Sequence, residues 1–209
     1  MLCLAHKSPD RLAFTRAKAE HGPIDVLVNN AGITRDRMFL KMTPEDWDAV
    51  ININLTSMFN VTKQVVVDMA ERGWGRIIQI SSVTGEKGQI GQTNYSSAKA
   101  GMHGFTMALA QEMASKGVTV NTVSPGYIGT EMVRSIKPDI LEKIVATIPV
   151  KRLGRPEEIA SVVGWLAGDD SGFTTGADFS CNGGCIWGEL RVVRAIDGSI
   201  RQRQYISFT

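Results

Sequence analysis

No run of apolar residues in the chain approaches bilayer-spanning length, which argues against a transmembrane helix, since one needs roughly 20 such residues. The apolar start, residues 1–5, is short and has no basic leader, so it is not read as a secretion signal. Cysteine is scarce. Cys3, Cys181 and Cys185 are odd in number and lack the spacing of a disulfide framework, which suits a reducing, cytoplasmic setting. Cys181 and Cys185 have no further Cys or His nearby to complete a ligand set, so no metal is expected. Charge of one sign is lacking too: 23 Lys and Arg face 21 Asp and Glu, a formal charge of +2. Basic residues are dispersed until the final stretch, which excludes an electrostatic footprint for nucleic acid. A length of 209 residues supports one domain with a sizeable core.

Short apolar runs alternate with longer helical patterns. That rhythm predicts an α/β fold, a doubly wound parallel sheet covered by helices on both faces. The runs at 24–28, 76–80 and 118–123 read as strands, with a weaker one at 177–180. Thr43 is a good N-cap, Pro44 suits the first helical position, and Glu45 and Asp46 favour the positive end of the helix dipole. The helix they open is predicted to run to about Arg72. A second is predicted from near Tyr95 to Gly117, a natural C′ residue, and a third from Pro156 to Ala167.

The segment Tyr95-Ser96-Ser97-Ala98-Lys99, with Ser82 thirteen residues before Tyr95, carries the chemistry. On a helix Tyr95 and Lys99 share a face, and an ammonium beside a phenol favours phenolate and lowers its pKa. Tyr95 is then a general acid, and a Ser82 hydroxyl at a strand end holds a carbonyl oxygen on which charge develops. Right-handed crossovers place the carboxyl ends of the strands on one edge of the sheet. Asn29-Asn30-Ala31-Gly32, Ser81-Ser82 and Ser124-Pro125-Gly126-Tyr127 therefore point at one crevice. His103 lies on the same helical stripe, but is expected to pack at the helix surface.

Asn29-Asn30-Ala31-Gly32, Asn54, Ser82, Tyr95, Lys99 and Pro125-Gly126 together resemble the short-chain dehydrogenase/reductase family over roughly residues 10–184. The stretches 29–36, 59–64, 88–95 and 148–154 resemble the branch that reduces acetoacetyl-CoA for polyhydroxybutyrate synthesis, its nearest sibling being the 3-oxoacyl-acyl-carrier-protein reductases. The resemblance implies a truncated Rossmann-like fold and NADPH-dependent reduction of acetoacetyl-CoA to 3-hydroxybutyryl-CoA. By it, Tyr95 donates the proton, Lys99 lowers its pKa and holds the nicotinamide ribose, Ser82 binds the carbonyl oxygen, and Asn54 anchors a water relay. It further assigns Asn30, Gly32, Pro125, Gly126, Ile128 and Thr130 to the cofactor. Gln89, Gln92 and Tyr127 fall at the acyl-CoA entrance, and 131–148 to a substrate lid. The helices at about 45–72 and 95–116 are the ones through which relatives form homo-oligomers.

Two departures from the pattern matter. The family's opening strand and its T-G-x-x-x-G-x-G turn, whose helix receives a pyrophosphate, have no counterpart here. Gly85-x-x-Gly88-x-x-Gly91 has the wrong spacing and reads as a substrate-side loop. The expectation is a single domain over 1–184 that lacks its first β-α units, exposes a strand edge, binds NADPH weakly and is marginally stable. Residues 185–209 form a non-family tail in which Asp197-Gly198, between two β-prone runs, supports a hairpin, while its arginines support disorder. Function therefore divides between an active reductase and a non-catalytic remnant or assembly partner of a full-length one.

Overall fold

The computed structural model describes residues 7–134, 136–186, 190–192 and 206–208. Helix α1 (Lys7–His21) leads into β1 (Val26–Asn29), and the other strands of the main sheet are β2 (Gly75–Ile80), β3 (Val118–Pro125) and β4 (Asp178–Cys181). They are parallel, in the order β1-β2-β3-β4, with Asn29 opposite Gln79, Gln79 opposite Thr122 and Thr122 opposite Asp178. Apolar, β-branched runs form these strands because both faces are covered. On one face Leu27, Ile77, Val118 and Val120 pack with Val61, Val65, Met69 and Ala110, and Phe14 of α1 joins them. On the other, Ile78 and Val123 pack against Leu166. Ile77, Val120 and Leu166 have no exposed surface, and each such side chain contributes roughly 1.5–3 kcal/mol of transfer free energy.

The first covering face comes from α2 (Pro44–Ile51), α3 (Ser57–Lys63), α4 (Val66–Arg72) and α6 (Thr93–Met113), with α5 (Val83–Lys87) between β2 and α6. Thr43 caps α2 by accepting from the Asp46 amide, as expected. The predicted uninterrupted helix over 44–72 is corrected in two places. A π turn occupies Asn52–Thr56, where the Asn54 amide bonds the Val50 carbonyl. A second break comes at Val65, whose φ of −122° leaves the helical range. Helix α6 begins two residues before Tyr95 and passes through a 3₁₀ turn to Gly117, whose φ of 70° ends it in the left-handed region as read from the sequence.

The segment for which the resemblance implies a lid holds two helices, α7 (Glu131–Arg134) and α8 (Pro138–Thr147), and α9 (Pro156–Ala167) covers the second face of the sheet. Among the described residues β1 pairs only with β2. In the tail, β5 (Leu190–Val192) pairs antiparallel with β6 (Ile206–Phe208); the Asp197-Gly198 turn lies outside the described residues.

Candidate active site

At the carboxyl edge of the sheet a cleft of about 780 Å³ is lined by Ser82, Tyr95, Lys99, Asn30, Gly32, Pro125, Gly126, Ile128 and Thr130. All three strand ends reach it. Ser82 ends the extension of β2 and caps α5, its Oγ accepting from the Thr84 amide and the Thr84 hydroxyl at 3.2 and 3.1 Å. With both lone pairs engaged, its own proton is left for an acceptor in the cleft, the Tyr95 oxygen in the free protein. Tyr95 is fixed by the residue before it. The side-chain oxygen of Asn94 accepts the Tyr95 amide at 2.8 Å, and its amide nitrogen donates to the carbonyls of Arg35 and Asp46. Asn94 has no exposed surface. Sequence reasoning missed it, although an Asn at the start of a helix, able to satisfy a free backbone N–H, is a recognisable signal.

Lys99 is 3 % exposed, lies 5.5 Å from the Tyr95 ring centroid and donates from Nζ to the Ile80 carbonyl at 2.7 Å. Burial pulls its pKa down from the usual lysine value to about 8. Tyr95 moves the opposite way from the expectation that Lys99 lowers its pKa: burial raises it, and the hydrogen bond from Ser82 only partly offsets that. Desolvation penalises the phenolate more than the neighbouring donor favours it. The phenol is therefore held protonated in the free protein.

Asn54 sits behind Gly32 instead of on the cleft wall. Its amide donates to the Ile33 and Val50 carbonyls at 3.0 and 2.8 Å, and its Oδ1 is buried with no partner. A Cβ on Gly32 would meet that oxygen at 2.6 Å, so only glycine lets the backbone pass there. Gln89, Gln92 and Tyr127 are not brought to the cleft. Gln89 is exposed, Gln92 donates to Asp36 at 2.8 Å, and Tyr127 lines a neighbouring pocket of about 300 Å³ with Ile148, Val150 and Asn182. Of the glycine series, Gly85 lies inside α5, while Gly88 and Gly91 have left-handed φ in the loop after it. Cys181 and Cys185 are free thiols, and among the described residues no group of His, Cys, Asp and Glu could hold a metal.

A parallel sheet that gathers a serine, a tyrosine and a buried lysine at its carboxyl edge has the layout of a Rossmann-like oxidoreductase. The chain belongs to the short-chain dehydrogenase/reductase family: residues 10–185 match the family model described as enoyl-(acyl carrier protein) reductase. It is 72% identical to an acetoacetyl-CoA reductase of Cupriavidus necator over 174 residues, 83% of this chain and 71% of that one. It is 62% identical to an acetoacetyl-CoA reductase of Allochromatium vinosum over 78% of this chain and 66% of the relative. A 3-oxoacyl-acyl-carrier-protein reductase of Salmonella typhimurium stands further off, 47% identical over 80% of this chain and 68% of the relative.

Proposed function

We propose that the chain is an NADPH-dependent reductase of acetoacetyl-CoA, producing 3-hydroxybutyryl-CoA. The observation that carries this is the convergence of Ser82, Tyr95 and Lys99 on one cleft in a chain 72% identical to an acetoacetyl-CoA reductase. The greater distance of the acyl-carrier-protein relative, at 47%, favours a CoA thioester.

The residues present fit the nicotinamide end of a dinucleotide. Gly32 brings backbone to the cleft floor, the unpartnered Oδ1 of Asn54 lies behind it, and Lys99 has ammonium protons beyond the one given to Ile80. Asn30, Gly32, Pro125, Gly126, Ile128 and Thr130 would hold that end. When bound, the cofactor supplies a hydride to the ketone carbon.

The protein's part is to handle the oxygen. Ser82 turns its hydroxyl proton from the phenol to the carbonyl oxygen, stabilising the charge that develops there. Tyr95, kept protonated by burial, delivers its proton to the same atom. Lys99 stabilises the phenolate left behind, and Asn54 Oδ1 accepts from a water that returns the proton. Gln89, Gln92 and Tyr127 stand outside the cleft, where an acyl-CoA chain enters. NADPH oxidation followed with acetoacetyl-CoA tests the reading: turnover is expected with acetoacetyl-CoA and weaker turnover with 3-oxoacyl-carrier-protein substrates. No turnover with either, in a folded chain that takes up NADPH, rejects it.

One observation favours assembly as a second role. A groove of about 470 Å³ on α3, α4 and α6 is lined by Phe59, Val66, Val67, Phe105, Leu109 and Met113. Phe59, Val67 and Met107 are each more than half exposed, an apolar face of the kind that a second copy covers. Val67→Asp with Met107→Glu is expected to convert oligomers to monomers in light scattering. Unchanged mass would place the contact elsewhere. Free thiols at Cys181 and Cys185 suit the reducing cytoplasm.

A further inference from the structure

The face of the sheet beneath α6 is apolar at Leu27, Ile77, Val118 and Val120 but turns polar toward the carboxyl ends of the strands. Asn29, Gln79, Thr122 and Asp178 form one row in register across all four strands. Ser81, Ser124 and Ser180 lie two residues further along their strands, on the same face. Against this second row sits His103, four residues beyond Lys99 on α6. It is not the surface residue that its sequence position suggested. Its Nε2 lies 2.9 Å from Ser81 Oγ and 3.4 Å from Ser124 Oγ, and its Nδ1 lies 3.8 Å from Asp178.

The direction of these bonds follows from where the hydroxyl protons go. Ser81 donates to the main-chain carbonyl of Lys99 at 2.9 Å, and Ser124 donates to the Asp178 carboxylate at 2.8 and 3.0 Å. Each serine has one proton and has placed it. His103 Nε2 is therefore the donor to Ser81, and the chain runs from the imidazole N–H through the Ser81 hydroxyl to the Lys99 carbonyl. Ser81 is the immediate neighbour of Ser82. The ionisable groups around this chain are Asp178 on β4, Glu86 on α5, whose carboxylate Ser180 holds at 2.9 Å, and Lys99 on α6 itself. Burial raises the pKa of both carboxyls.

We propose that His103 is a positioning residue of the proton-donating site, donating its Nε2–H to Ser81 so that the strand end carrying Ser82 and the helix carrying Lys99 and Tyr95 are locked together. The proposal rests on the catalytic reading of those three residues, and its role is indirect: His103 touches none of the reacting atoms. Hydrogen bonds set the seating of α6 here, where sliding of an apolar contact by a fraction of an ångström would separate the Ser82 hydroxyl from the phenol.

Two amide substitutions separate this from simple packing. His103→Gln puts an N–H near the place of Nε2, whereas His103→Asn puts it near the place of Nδ1, toward Asp178. In the full chain labelled with ¹³C-tyrosine, the Tyr95 titration is followed by NMR. Wild type and His103→Gln are expected to titrate together. His103→Asn is expected to titrate at least about half a pH unit higher, because a looser Ser82 no longer favours the phenolate. Where turnover is measurable, His103→Asn should lower kcat on the order of tenfold with KM little changed. Coincident titrations in all three folded proteins overturn the proposal, as does a shift equal in Gln and Asn. Should His103→Asn not fold, His103→Ala takes its place in the comparison with Gln. The titration is read even in a chain without turnover, so loss of the catalytic reading and loss of this proposal are separate results.

Discussion

Tyr95→Phe is expected to lower turnover of acetoacetyl-CoA by about 10²–10⁴-fold, the range typical of a removed general acid. The fold should not notice. The phenol's side-chain hydrogen-bond partner is Ser82, and Ser82 keeps its two bonds from Thr84, so the cost to stability is about 1 kcal/mol or less. A thermal melt by circular dichroism then separates a chemical loss from a structural one. The substitution also isolates which group supplies the proton. If the Tyr95→Phe variant kept more than about a tenth of the activity, well short of the loss a removed general acid causes, water or Ser82 would have to be the donor, and the site would need a different acid.

Lys99→Met is expected to abolish turnover while making the free protein more stable at neutral pH. An ammonium that is 3 % exposed is held in the fold against its solvation, and its pKa falls from 10.5 to about 8. Between those two values the unfolded chain binds a proton that the folded chain has released, so the lysine makes stability rise with pH across that window. Below pH 8 both states are charged and the penalty is present in full, about 3 kcal/mol from the shift. Methionine removes it but leaves the Ile80 carbonyl without its donor, which costs about 1–2 kcal/mol. The net gain at pH 7 is on the order of 1–2 kcal/mol, shrinking toward pH 10 as the wild type sheds its charge. Urea melts of both proteins at the two pH values measure this. A variant less stable at pH 7, or one with the same pH slope, would show that a counter-charge already compensates the ammonium.

What could be read from the sequence was whatever repeats with a local period. Val-Ile runs announced β2 and β3 within a residue or two, the Thr43-Pro44-Glu45 signal located the start of α2, and Gly117 marked the end of the second long helix. The cleft followed because strand carboxyl ends share an edge in any parallel sheet, and nine of its residues, from Asn30 to Thr130, were among those expected to line it. Three features were not legible, each for a reason. The polar row from Asn29 to Asp178 depends on inter-strand register, which no single strand encodes. The shift of Tyr95 depends on burial, and spacing to Lys99 carries no information about desolvation. His103 was assigned to a surface because its partners, Ser81, Ser124 and Asp178, come from three different strands.

The π turn at Asn52–Thr56 makes chain length, and not only residue identity, a determinant of the site. Such a turn holds one residue more than an α turn would while the helix on either side keeps its direction. Deleting one of these five residues would let α2 and α3 run on in ordinary helical register against the same sheet, at little cost in packing. What disappears is the wide turn that aims Asn54 at the Ile33 carbonyl and leaves its Oδ1 behind Gly32. Among descendants of such a chain that had no use for Asn54 in this place, the mark of that history would be a gap in an alignment, with the flanking core unchanged.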